Sequence, residues 1–195
     1  MKKKFKRKLF SSLKKKDWEK IKFLILNNGN RSKSFAIFYA FKEQNEELID
    51  FVLKNGCDDW NSALIGASKV GNKELIEKSI SNGAQNFNKS LYELTKIANI
   101  QLINYIINKG ADNMEIALIG SIKSKNLDLI ERFLKFDQNN SQDISYFTGE
   151  SGDIKVIDLV SSRIKGFSWK DCADGYYYYL KNFFFQKKKN KTNTK

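Results

Sequence analysis

An aliphatic pair returns every 27 residues along this chain: Leu48-Ile49, Leu75-Ile76, Leu102-Ile103, Leu129-Ile130 and Val156-Ile157. Ile21 holds the first position of an earlier pair, with Lys22 in the second, and the phase reaches Phe183-Phe184 without insertion or deletion. A fixed period of this length marks one small unit copied in a row, because no copy buries its apolar face until a neighbour covers it. The pattern predicts a solenoid, an architecture that usually binds and seldom catalyses.

Other columns keep the same step. Gly29, Gly56, Gly83 and Gly110 each follow a helical apolar pattern, where a left-handed residue closes a helix. Upstream of the pair stand Ala36, Ala63, Ser90 and Ala117, each followed by Ile or Leu, and then the mostly small column Ala40, Ala67, Leu94, Ser121 and Thr148. Small residues suit a close approach of two helix backbones. Each unit thus reads as two short antiparallel helices. In the clearest copy the first helix covers 62–70, Gly71-Asn72 makes the turn, the second covers 73–82, and Gly83 stops it.

The expected architecture is an all-α solenoid of stacked antiparallel helix pairs over residues 9–185. Its units fall near 9–30, 31–57, 58–84, 85–111, 112–138 and 139–165, with 166–185 as a terminal cap. Residues 1–8 form a basic tail and 186–195 a basic disordered one. At 195 residues and 41% hydrophobic content the chain is able to form one elongated domain, and no proline obliges a helix to break.

No apolar run approaches the ~20 residues of a membrane helix, and lysines interrupt any secretory apolar stretch at the start. An intracellular, cytoplasmic monomer is expected. The acid-free start through Lys16 imitates a mitochondrial presequence, but Leu9, Phe10 and Leu13 already fit the repeat phase. Cys57 and Cys172 lie more than four units apart, too far to pair in such a row. Cys57 shares its column with Ala84 and Ala111 and reads as a small, partly buried apolar residue.

The stretch Ser62-Ala63-Leu64-Ile65-Gly66-Ala67-Ser68, continued by Val70-Gly71-Asn72, Leu75-Ile76 and Ser81-Asn82-Gly83-Ala84, is similar to an ankyrin repeat. The short form, with an aromatic in the connection as in Asp58-Asp59-Trp60-Asn61, resembles the divergent ankyrin-like proteins encoded by giant DNA viruses. The resemblance covers about residues 31–136 and implies a protein-binding scaffold, in host cytoplasm if the origin is viral. Two departures bear on it. Ser62-Ala63-Leu64-Ile65 stands where ankyrin repeats carry Thr-Pro-Leu-His, which removes the side-chain network that pins the ankyrin turn. The period is also shorter than the ~33 residues of that family, so the long β-hairpin fingers should be absent. Trp60, Phe87 and Met114 share one column after the closing glycines. They read either as plugs for the gap the hairpin leaves, the preferred reading, or as an aromatic row offered to a partner.

The chain contains no histidine, which removes the commonest general base and metal ligand. The glycines are spaced as helix stops and form no phosphate loop. Asp58-Asp59 is the one tight acidic pair in a loop, and directly before a helix it reads as a capping pair. No catalytic constellation, cofactor site or metal site is expected.

Charge separates along the chain. Residues 1–22 carry net +9, residues 181–195 net +6, and the middle net −2. The basic ends, including Lys187, Lys188 and Lys189, read as solubilising lysine tails of an AT-rich coding sequence. The alternative is an anion-binding segment for nucleic acid or a charged surface, or a nuclear import signal. Within the units, Lys42, Lys69, Lys96 and Lys123, preceded by Lys15, occupy one column near the end of the first helix. They read as dipole partners or as a basic track for an acidic partner. Asp50, Glu77, Glu131 and Asp158 form an acidic column on the second helix, with Asn104 filling the missing rung.

Overall fold

The computed structural model describes the backbone of residues 3–27, 29–136 and 141–192, and the side chains of 7–27, 29–136 and 142–183. Every regular element among the described residues is a helix. The chain forms two compact units, residues 1–93 and 94–195.

The first unit holds α1 (Lys3–Lys15), α2 (Trp18–Leu26), α3 (Asn30–Lys42), α4 (Glu46–Lys54), α5 (Trp60–Val70) and α6 (Lys73–Ser81). The boundary falls within α7 (Phe87–Lys96). The second unit holds α8 (Ile100–Asn108), α9 (Met114–Ser124), α10 (Leu127–Phe133), α11 (Ser141–Glu150), α12 (Ile154–Ser161) and α13 (Trp169–Thr192). In the first unit α3 packs on α1, α2, α4 and α5, and α5 on α6. In the second, α11 packs on α9, α12 and α13, and α9 on α10.

Two adjacent residues make each tight turn. In the first unit Lys16, Gln44 and Gly71 have φ of 52°, 52° and 68°, which reverses the chain after a first helix. The following residue then caps the second helix: Asp17 accepts from the Lys20 amide, Asn45 from Leu48 and Asn72 from Leu75. The second unit repeats the device with Ala98, Lys125 and Gly152 at φ of 53°, 57° and 63°, and with Asn99, Asn126 and Asp153 capping Leu102, Leu129 and Val156. A short polar side chain before the helix satisfies an amide that has no partner inside the helix.

The periodic apolar columns are the interior of both units. In the first, Leu9, Leu13, Ala36, Ile37, Ala40, Ala63, Leu64, Ala67 and Leu91 are buried on the first helices, and Ile21, Leu48, Ile49 and Ile76 on the second. In the second, Leu94, Ala117, Leu118, Ser121 and Thr148 are buried beside Leu102, Ile103, Leu129, Ile130 and Val156. Lys22, the polar member of the first pair, is exposed. Gly29, Gly56, Gly83 and Gly110 all have positive φ in the connections, as the stop column requires.

Three boundaries differ from the sequence expectation. Trp60, Phe87 and Met114 are the first residues of α5, α7 and α9 and do not belong to the connections. α5 and α9 start early because Asp59 and Asn113 cap them, accepting from the Ser62 and Ile116 amides. All three are half-buried, and the Trp60 ring meets buried Phe41 edge-on at 6.2 Å. At the ends, α1 begins at Lys3 inside the expected tail 1–8, and α13 runs to Thr192 through most of the tail expected to be disordered over 186–195. Lysine and glutamine are good helix formers, and beyond Gly175 no glycine or proline interrupts the run. Met1, Lys2 and residues 193–195 lie outside the described residues, as does Asp137 in the glycine column.

Candidate interaction surface

The lysine column sits in the last turn of its helices, where the C-terminal dipole favours a cation. Its members are not bare charges. In the first unit Lys42 pairs with Glu43 at 3.1 Å, and Lys69 pairs with Glu93 at 3.6 Å while its Nζ lies 5.9 Å from the Phe38 ring. Beside the column, Lys16 pairs with Glu47 at 2.7 Å. In the second unit Lys123 pairs with Glu150 at 3.0 Å and lies 4.4 Å over the Phe147 ring. Lys96 ends α7 and is half-buried. Lys42, Lys69 and Lys123 thus stand in mixed-sign pairs, and Lys69 and Lys123 also lie beside aromatic rings. The acidic column faces solvent on the second helices: Asp50 and Glu77 in the first unit, Glu131 and Asp158 in the second. Lys187, Lys188 and Lys189 fall in the last turns of α13, beyond the described side chains.

The connections are pinned by side chains that the periodicity did not single out. Asn61, in the first turn of α5, accepts from the backbone amides of Gln85 and Asn86, both at 2.9 Å. Asp59 accepts from the Ser62 amide and hydroxyl at 3.0 and 2.8 Å and is also hydrogen-bonded by the Ser34 side chain. Partial burial raises the Asp59 pKa, but these donors outweigh it and hold the carboxyl below its ordinary value. Such contacts stand where the Thr-Pro-Leu-His network is missing. One signal was available in the sequence: asparagine recurs at 45, 72, 99 and 126, directly before each second helix.

Cys57 is fully buried, and burial pushes its thiol up to about 12, with Lys33 opposing and Asp58 reinforcing the shift. Cys172 is 4% exposed and is also raised by burial. Both are free thiols. Among the described residues no cluster of cysteine and acidic side chains is arranged to hold a metal ion, and no helix is long and apolar enough to cross a membrane.

Two concave features stand out. In the first unit Trp18 and Phe51, with ring centroids 4.9 Å apart, line a hollow with Glu47, Asp50 and Lys54. In the second unit a notch of about 280 Å³ lies among Lys123, Lys125, Phe147, Glu150, Tyr179 and Asn182. No family model, curated protein or solved structure matches this chain.

Proposed function

We propose that this chain is an ankyrin-like repeat scaffold, a solenoid of helix pairs with a 27-residue period, that binds another protein and catalyses no reaction. The observation that carries the reading is the turn device. A left-handed residue followed by a capping Asn or Asp recurs at 44–45 and 71–72 in the first unit and at 98–99, 125–126 and 152–153 in the second. Identical joints at one step are what copies of a helical hairpin require, and an array of hairpins presents a broad, variable surface.

The proposed binding residues stand in the last turns of the first helices, Lys42 and Lys69 in the first unit and Lys96 and Lys123 in the second. The Lys42–Glu43 pair is exposed on both sides, and a pair of that kind contributes only ~0–1 kcal/mol, so a partner carboxylate replaces the internal one there at little cost. The protein acts as a monomer inside the cell, in the cytoplasm. The test is affinity capture with crosslinking, wild type against a Lys42→Glu, Lys69→Glu double variant. A protein held by wild type and lost from the variant supports the reading. Failure to recover any specific partner counts against the scaffold, and equal recovery by both forms counts against the lysine face.

A further inference from the structure

We propose that the notch of the second unit is a binding site for single-stranded nucleic acid, taking one base among Phe147, Tyr179 and Asn182 while Lys125 meets a phosphate. The notch has the size and chemistry of a nucleotide subsite. Its volume is about 280 Å³, and its walls combine two aromatic rings, a carboxamide and two ammonium groups. The cations are already placed against the rings: Lys123 Nζ is 4.4 Å from the Phe147 centroid and Lys125 Nζ 5.9 Å from that of Tyr179. Base stacking on aromatic side chains, aided by nearby cations, is how unpaired strands are held without sequence preference.

The rings continue beyond the notch. Tyr179 lies 5.9 Å from Tyr176 and 6.1 Å from Phe183, so one side of α13 carries an aromatic row leading out of the hollow. Tyr176 and Phe183 are 40% and 46% exposed. Charge favours a polyanion. Within the notch Lys123 is neutralised by Glu150 at 3.0 Å, leaving Lys125 as the surplus cation. Residues 181–195 then add six lysines and no acid. A concave site with an amide edge and one tyrosine hydroxyl suits a base better than it suits a lipid surface, which asks for a flat apolar face.

The experiment is fluorescence anisotropy of the full chain with labelled oligo-dT and oligo-U, a duplex of equal length, and vesicles of phosphatidylserine in phosphatidylcholine. Three variants accompany it, each checked for wild-type helicity: Lys125→Gly, which keeps the left-handed backbone and removes the cation, Asn182→Asp, and the triple Lys187→Gln, Lys188→Gln, Lys189→Gln. The expected result is salt-sensitive binding of the single strands, roughly tenfold or more weaker binding of duplex, and losses of roughly fivefold or more for Lys125→Gly and Asn182→Asp. Three outcomes would overturn the site. They are no single-strand binding at low salt, duplex or vesicles bound as tightly as single strands, or notch variants that keep wild-type affinity while the triple variant loses it.

Discussion

Gly149 of α11 and Gly175 of α13 lie at one helix crossing, where the two backbones touch. A Cβ built on Gly149 would fall onto the Cys172 carbonyl oxygen and within 2.9 Å of the Tyr176 nitrogen. On Gly175 it would fall onto the Tyr146 carbonyl oxygen and within 2.8 Å of the Glu150 nitrogen. Alanine at either position gains ~0.8–1 kcal/mol of helix propensity, yet forces the helices apart at a cost of ~1–3 kcal/mol or more. Gly149→Ala and Gly175→Ala should each lower the urea midpoint of the second unit. An unchanged or raised midpoint for both would mean that the helices do not meet this closely.

The turn column invites a paired test. Ala98 holds φ of 53° and Gly71 holds 68° at equivalent places, and the left-handed region costs a residue with a Cβ ~1 kcal/mol. Ala98→Gly should stabilise the protein and Gly71→Ala destabilise it, each by ~1 kcal/mol. Asn72→Ala should cost ~1 kcal/mol by removing the cap on Leu75, whereas Asn72→Asp should be close to neutral. Chemical denaturation of the four variants gives the signs, and the same sign for the two glycine exchanges would refute the assignment.

These joints also show how much of the molecule was legible in its residues. The apolar pattern predicted an all-helical chain, and most of the aliphatic and small residues it singled out are buried. It placed the stop at Gly83 and the turn at Gly71-Asn72, but it missed equivalent turns at Gln44, Ala98 and Lys125. There a left-handed backbone is imposed on residues that do not prefer it, so the one cue was the asparagine that follows each of them. Asp58-Asp59 was read as a capping pair and Asp59 does cap α5, but the helix it starts begins at Trp60, two residues before the expected 62. The lysine column was visible, but its partners were not. Glu93 and Glu150 lie 24 and 27 residues from Lys69 and Lys123, and only the fold brings them together. Asn61 was invisible for the same reason, since its work is to hold backbone amides of a later connection.

Asp59 gives the fold an acid-sensitive joint. Its carboxyl is held below the ordinary value despite partial burial, so the ionised form is the one the folded state prefers. A depressed folded pKa contributes stability that is present above the unfolded value of about 3.9 and disappears as pH falls through the folded value. Asp59→Asn keeps an acceptor for Ser62 and removes the titration. Wild type should therefore lose more stability than this variant on going from pH 5 toward pH 3, as read by urea midpoints. Parallel pH profiles would show that the Ser34 and Ser62 contacts do not favour the carboxylate.

Both thiols should be silent in the native protein. Cys57 is fully buried with its pKa pushed to about 12, and Cys172 is buried and raised, so neither offers thiolate at neutral pH. Labelling with an aromatic disulfide reagent should be slow in buffer and immediate in guanidinium, releasing two equivalents. Cys57→Ala, matching Ala84 and Ala111 in the same column, should cost under ~1.5 kcal/mol, because the site already holds alanine in its counterparts. Rapid native labelling of Cys57 would place it on the surface and break the column.

The repeat reading makes its sharpest prediction by deletion. Removing residues 45–71 takes out one period of 27 and joins Gln44 to Asn72. The joint so formed again has a left-handed residue, Gln44 with φ of 52°, followed by an asparagine that caps the next helix. In a stacked array each hairpin depends mainly on its neighbours, so losing one copy subtracts one copy's intrinsic and interface terms and leaves the rest in register. The shortened chain should remain monomeric, keep its helicity per residue, and melt cooperatively at a lower Tm. A deletion of residues 45–64, which breaks the step, should leave an aggregated or unfolded product. If the in-register deletion collapses as the other does, the hairpins are not interchangeable copies, and the scaffold reading built on them falls with the result.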